Sequence, residues 1–246
     1  MVLDEKAAFE QWSSWRLWIH ALKFWFLGSG FSKKIGLPFT IWAVKKNIPL
    51  KWLLKPLLFD TFCVGESSDE INAKTIEFKN EGFGVILDYA VEAQKSEEIF
   101  EKVKNEVMQS ILNMNEGFAV VKCSGIASEA ALRYKNEPDY GFFMKRLVEI
   151  CELAMEKDLK LMVDAEETWF QEVITESTKK LMLKHNRAEA MVFNTYQMYL
   201  KCKLNELKND IEWASQQGIF LGVKLVRGAY LQKEKELAQK MNLDSP

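Results

Sequence analysis

The sequence predicts an α/β protein in which repeated β–α units build a parallel sheet, preceded by an apolar helical segment. Five short apolar runs begin near residues 83, 118, 160, 190 and 219, and a helical pattern separates each run from the next. Such intervals match successive β–α units, whose crossovers are right-handed. Two architectures fit at this point: an open doubly wound sheet, or a (β/α)8 barrel of which this chain holds about five of the eight units.

The helical segment comes first and differs from the rest of the chain. Four tryptophans at positions 12, 15, 18 and 25, together with Leu22, recur at three- and four-residue spacings, which predicts a helix with an aromatic stripe ending near Gly28. We define residues 1–66 as the arm and residues 67–246 as the barrel domain. One interpretation packs the arm on the barrel domain. The other places its aromatic surface, with Lys23, Lys33 and Lys34, against a membrane interface.

Each following element has its own local signal. Ser67–Glu70 is a capping box that predicts a helix to about residue 80, and a four-residue apolar stripe from Ile99 to Ile111 predicts a helix over about 96–113. Apolar faces predict further helices over about 140–157, 170–184, 204–216 and 232–240. The expected strands are 83–88, 118–122, 160–164, 190–194 and the run that follows Gly218. A polar loop is expected between the second strand and its helix.

Bulk properties exclude several classes of function. The 246 residues carry a net charge of −2, which gives no electrostatic footprint for nucleic acid. Only two histidines are present, His20 and His185, so histidine-based triads and metal sites are not expected. The four cysteines are far apart in the sequence, which indicates reduced thiols.

Polar side chains stand at the carboxyl end of all five predicted strands, where parallel α/β enzymes place their working groups. They are Asp88, Lys122, Asp164, Asn194 with Gln197, and Lys224 with Arg227. Lys122 could form a Schiff base with Asp164 as its proton-transfer partner, as in a lyase barrel. Alternatively, Lys122, Lys224 and Arg227 form a cationic pocket for a carboxylate substrate and an electron-rich cofactor.

Three blocks of sequence carry a resemblance to a known family. Val223-Lys-Leu-Val-Arg-Gly-Ala-Tyr230, Leu161-Met-Val-Asp-Ala-Glu-Glu167 and Phe193-Asn-Thr-Tyr-Gln197, in this order and at these spacings, resemble proline dehydrogenases. The resemblance covers about residues 60 to 246. It implies a distorted (β/α)8 barrel that holds FAD at the carboxyl ends of its strands. It also implies oxidation of L-proline to pyrroline-5-carboxylate, with the electrons passed to a quinone.

The resemblance also implies roles for individual residues. Asp164 and Lys224 match catalytic positions, with Lys224 beside the reactive nitrogen of the flavin. Lys122 and Tyr230 match substrate-binding positions. The positions matching flavin contacts are Ala165, Gln197, Arg227, Gly228 and Ala229, and Gly228 is expected to let the backbone approach the flavin ring.

The chain departs from the family at its end. The last three barrel strands and the C-terminal helix with a Tyr-x-x-Arg-Arg motif are not among the 246 residues, so we expect a C-terminally truncated member. A non-catalytic fragment or interaction module therefore stays open as an alternative function. The expected location is the cytoplasm with peripheral contact to the inner membrane for a bacterial source, and the mitochondrion for a eukaryotic one.

Overall fold

The computed structural model describes residues 9–10, 12–30, 34, 36–46, 49, 55–65, 68–88, 95–228 and 230–243. Contacts divide the chain into two compact units, 1–76 and 77–246. We describe each unit by itself. The predicted division of the chain into an arm and a barrel domain after residue 66 stays a prediction.

The first unit is helical where it is described. Helix α1 spans Ser14–Gly28 and α2 spans Leu37–Lys45. A π-helical turn at Lys55–Phe59 and a single helical turn at Asp60–Phe62 follow, and α3, Ser68–Asn80, begins in this unit. Ser13 caps α1, because its hydroxyl accepts a hydrogen bond from the backbone N–H of Arg16 at 3.3 Å. No residue of α1 is buried, so its aromatic side chains are open to solvent.

The second unit alternates strands and helices in the predicted order. The strands are β1 (Ile86–Leu87), β2 (Phe118–Val121), β3 (Lys160–Val163), β4 (Val192–Gln197) and β5 (Gly222–Val226). The helices are α4 (Glu97–Leu112), α5 (Cys123–Ile126), α6 (Glu129–Tyr134), α7 (Asp139–Glu156), α8 (Thr168–His185), α9 (Lys203–Gln217) and α10 (Leu231–Lys240).

The strand order decides between the two predicted architectures. All four neighbouring pairs are parallel, and the strands lie in the sheet in chain order, β1-β2-β3-β4-β5. A doubly wound sheet reverses its order at a switch point, whereas a barrel does not. The sequential order therefore identifies five consecutive units of the barrel architecture and excludes the doubly wound alternative for the described strands.

The hydrophobic core lies between one face of this sheet and the surrounding helices. Alternate strand residues point into it, since successive side chains of a strand lie on opposite faces. The strand residues in the core include Ala119, Val121, Leu161, Val163 and Val192, and the helix residues packed with them include Val107, Ile111, Leu147, Ile150 and Ile174. The intervening strand residues therefore belong to the opposite face, which is the interior of a barrel.

The structure differs from the expected secondary structure in three places. The first strand, expected over 83–88, is limited to Ile86–Leu87, and the fourth, expected to end at residue 194, continues to Gln197. The third difference is a loop. The segment after β2, expected to be a polar loop, contains the two short helices α5 and α6. The Ser128 hydroxyl caps α6 by accepting from the Ala131 N–H at 3.1 Å. Ile126 and Leu132 are fully buried. The segment is thus part of the core, and Ser128 serves as a helix cap instead of a loop residue.

Candidate active site

Four charged side chains form a continuous array of ion pairs across the strand ends. Lys122 Nζ donates to Asp88 Oδ2 and, at 3.1 Å, to Asp164 Oδ2. Asp164 Oδ1 in turn accepts from Lys224 Nζ. A single carboxylate after β3 therefore bridges a lysine after β2 and a lysine on β5.

Strand register explains why these side chains meet. Lys122 directly follows β2 and Asp164 directly follows β3, and the last paired residues of those strands are Val121 and Val163. Lys224 is paired with Thr195 of β4. Counting in steps of two from the core residues places Lys122, Asp164 and Lys224 on the face opposite the helices. The alternation of each strand thus directs apolar side chains to the core and this charged set to the barrel interior.

The electrostatics of the array keep Lys122 protonated. Burial lowers the pKa of Lys122, but the hydrogen bond to Asp88 and the charges of Asp164 and Asp88 outweigh it, so the pKa lies above its ordinary value of 10.5. A Schiff-base lysine must lose its proton to act as a nucleophile. The raised pKa therefore disfavours the lyase interpretation and leaves Lys122 as a charged ammonium group in the site.

A thiol beside the array is not a nucleophile either. Burial, followed by the charges of Glu166 and Asp164, raises the pKa of Cys123 well above its ordinary value. Cys123 is fully buried in the core. It is therefore an inert apolar side chain.

The end of β4 contributes a buried amide. Gln197 Nε2 donates to the backbone carbonyl of Glu166 at 3.1 Å, which fixes the orientation of the side chain. Gln197 Oε1 is buried and accepts no hydrogen bond from any residue that the structure describes. Ala165, another predicted cofactor contact, directly precedes Glu166 in the sequence and is also buried. An oriented, unsatisfied acceptor at a strand end is suited to a ligand N–H.

The turn after β5 presents the remaining predicted residues. Arg227 is exposed and Tyr230 is buried. Gly228 has a φ of +96°, a conformation that L side chains rarely adopt. A Cβ on Gly228 would lie 1.6 Å from Cε1 of Tyr199, so the ring of Tyr199 fills the space that the glycine leaves. Ala229 lies outside the residues that the structure describes.

Sequence reasoning missed three residues that hold this turn in place. The Glu234 carboxylate on α10 accepts from Thr168 N and Thr168 Oγ1, both at 2.9 Å, and so caps the first turn of α8. Tyr199 packs beneath Gly228, and burial followed by the charge of Glu234 raises the pKa of Tyr199 to about 12. Both contacts join residues that are far apart in sequence, so no local sequence pattern predicts them.

The structure thus brings together most of the predicted site. Asp88, Lys122, Asp164 and Lys224 are joined directly, and Gln197 is linked to the same loop as Asp164 through Glu166. Asn194 lies on the other side of β4 from Thr195 and Gln197, and its Oδ1 has no partner in the described part of the chain. Asn194 therefore does not join the charged array.

A sequential parallel sheet with a helix-packed outer face and charged side chains at the carboxyl ends of its strands defines a domain of the (β/α)8-barrel class. Comparison with known proteins identifies the family within this class. The family model described as proline dehydrogenase matches residues 72–246, and the chain belongs to this family.

Individual relatives agree with the family assignment. The chain is 28% identical to "Proline dehydrogenase 1, mitochondrial" of Dictyostelium discoideum over 80% of its own length and 44% of the relative's. It is 40% identical to the protein of the same name from Drosophila melanogaster over 46% of its length and 16% of the relative's. The chain therefore spans less than half of either relative.

A solved structure supports the fold. The proline utilization A (PutA) protein of Bdellovibrio bacteriovorus, inactivated by N-propargylglycine, superposes with a TM-score of 0.67 at 20% identity. The match covers 79% of this chain and 23% of the PutA chain. At this identity the likeness concerns the fold, which is the barrel architecture derived above.

Proposed function

We propose that this chain takes part in the FAD-dependent oxidation of L-proline to pyrroline-5-carboxylate, with electrons passed on to a quinone. The observation that carries the proposal is the pair of lysines bridged by Asp164 at the strand ends of a proline dehydrogenase family member. The array supplies fixed cations in a partly buried site, where charges act more strongly than in water.

The substrate part of the proposal concerns Lys122 and Tyr230. Proline carries a carboxylate, and Lys122, which is protonated at neutral pH, provides a matching cation. Asp164 acts as a positioning group as well as a catalytic one, because it fixes both lysines at once. Tyr230 is buried directly after the β5 turn and adds an aromatic wall.

The residues present fit a flavin. FAD, when bound, supplies the hydride acceptor. Gln197 Oε1 is a buried acceptor that needs an N–H partner, and the flavin ring carries one. Lys224 and Arg227 would offset the negative charge that a bound flavin gains on reduction. Ala165, Gly228 and Ala229 complete the proposed contact set. Within the chain, the ring of Tyr199 lies against Gly228 and leaves no room for a side chain. Packing therefore requires glycine at position 228, whether or not this residue also contacts the cofactor.

Location and partners complete the proposal. The curated relatives compared above are mitochondrial by name. Among the described residues, no helix is long and apolar enough to cross a bilayer. We place the chain in the cytoplasm with peripheral membrane contact if the source is bacterial, and in the mitochondrion if it is eukaryotic. Proline and a quinone are its proposed partners.

The test is flavin binding and turnover by the purified chain. We expect visible flavin absorbance after reconstitution with FAD, and proline-dependent reduction of a dye. Lys224→Met should reduce the rate of flavin reduction by about a hundredfold, as does the loss of one preorganised charge contact in other enzymes. Lys208→Met, on the exposed side of α9, is the matched control and should leave the rate unchanged.

Two outcomes would change the proposal. Tight FAD binding without proline-dependent reduction would indicate that the chain is a non-catalytic, cofactor-binding portion of a proline dehydrogenase. Absence of both flavin binding and dye reduction would favour the interaction module, the alternative suggested by the partial coverage of the relatives.

A further inference from the structure

Helix α1 carries an unusually exposed aromatic stripe. Trp15, Trp18, Leu22 and Trp25 follow one another at steps of three, four and three residues, so they share one face of the helix. The three tryptophans are 74%, 69% and 72% exposed. Trp18, Leu22 and Trp25 line an open apolar groove of about 530 Å³. Water-exposed tryptophans in such number mark an interaction surface.

The charge of the surrounding sequence points to the kind of partner. Residues 11–59 contain eight lysines and arginines, six of the chain's eight tryptophans and no aspartate or glutamate. The whole chain has a net charge of −2, so the remaining residues together carry −10. A segment without a single carboxylate in an acidic protein is complementary to a negatively charged surface.

Basic residues are interspersed with the aromatic ones in the sequence, and one of them contacts an aromatic ring directly. The guanidinium of Arg16 lies over the ring of Trp12, 4.4 Å from its centroid. Lys45 and Lys46, at the end of α2, are exposed. Phe39 and Trp42 on the same helix are exposed as well, with ring centroids 5.8 Å apart. Tryptophan with flanking lysine or arginine is the composition of segments that lie at the lipid headgroup level.

We propose that the α1 stripe and the carboxylate-free segment 11–59 bind the surface of an anionic lipid bilayer, with α1 lying in the plane of the headgroups. At 15 residues, α1 is about 22 Å long, which suits lying at the interface and is too short to span it. The proposal deepens the membrane contact named under the proposed function. Its measurement is lipid binding, so it can fail while flavin and proline binding succeed, and the reverse.

The experiment uses the full chain and vesicles of two compositions, phosphatidylcholine alone and equal parts phosphatidylcholine and phosphatidylglycerol. Co-sedimentation should show binding at least about tenfold tighter to the mixed vesicles, because each basic residue near an anionic leaflet strengthens binding about fivefold at low salt. Added salt should reduce the difference. Tryptophan emission should shift to shorter wavelength on binding.

Variants separate the contributions of the stripe and of the charge. Trp18→Glu with Trp25→Glu should weaken binding to both vesicles by at least about tenfold. The matched control is Leu204→Glu with Ile211→Glu on α9, two side chains 52% and 53% exposed, and it should bind as the wild type does. Lys45→Gln with Lys46→Gln should weaken binding to the anionic vesicles only.

Three results would overturn the proposal. The wild type could fail to bind the mixed vesicles, or the double tryptophan variant could bind them as well as the wild type. The third result is an oligomer of the wild type in light scattering, without vesicle binding, that becomes monomeric in the Trp18→Glu, Trp25→Glu variant. The stripe would then be a contact between two copies of the chain. Far-UV circular dichroism of every variant checks that the fold is kept.

Discussion

The ion pair between Lys122 and Asp164 offers a quantitative test of the site. The two charged atoms are 3.1 Å apart, and both side chains are largely shielded from solvent. Coulomb attraction at this distance is about 5 kcal/mol at an effective dielectric constant of about 20. Desolvation of both groups cancels much of that gain, so we expect a net coupling free energy of about 2 kcal/mol.

A double-mutant cycle measures this coupling. Asp164→Asn should lower the free energy of unfolding by about 3 kcal/mol, because Lys122 then keeps only the more exposed Asp88 and Lys224 loses its carboxylate partner. Lys122→Met should cost less, about 2 kcal/mol, because the methionine leaves no unpaired cation. The double variant should be about 2 kcal/mol more stable than the sum of the two losses predicts.

The assay is urea unfolding followed by circular dichroism, which needs neither cofactor nor turnover. Lys208→Met combined with Asp164→Asn is the control cycle and should be additive, because Lys208 is exposed on α9. Additivity in the Lys122 cycle as well would refute the reasoning, since it would mean that the two side chains do not interact in the folded protein.

Three further predictions concern the same unit. Gly228→Ala should destabilise the fold by about 2 kcal/mol, while Gly82→Ala, at a φ of +83° with open space around it, should cost only about 1 kcal/mol in urea unfolding. Glu234→Gln should lose about 1 kcal/mol of helix-capping stability, and the exposed Glu236→Gln on the same helix should lose almost none by the same measurement. Because the folded-state pKa of Lys122 is raised, its contribution is present at neutral pH and is lost as the pH rises above about 10.5, so Lys122→Met should flatten the alkaline fall in stability.

Sequence reasoning succeeded where the signal is local. The stripe from Ile99 to Ile111 predicted a helix over about 96–113, and the helix is Glu97–Leu112. An apolar run ending in Asp164 predicted a strand, and β3 ends at Val163. The position of polar residues at the carboxyl ends of the predicted parallel strands also indicated a common site. The structure joins four of them in one array.

Contacts between residues far apart in sequence could not be predicted from the sequence. Intervals between strands are compatible with a barrel or a doubly wound sheet, and only the observed pairing order separates the two. The bond between Thr168 and Glu234 joins residues 66 positions apart, and its two partners each look like ordinary surface residues in the sequence. The sequence predicts a loop where α5 and α6 form, because serine is typical of turns as well as of helix caps.

The order of the strands has a consequence for how the site is assembled during synthesis. Each strand pairs with the one made just before it, so the sheet can grow in the direction of translation without waiting for a distant partner. Asp88 emerges from the ribosome first, then Lys122, then Asp164, and Lys224 last. Until β5 docks, the carboxylate that bridges the two lysines holds only one of them. We therefore expect the nascent chain to acquire its charged array in this order, with Lys224 completing it.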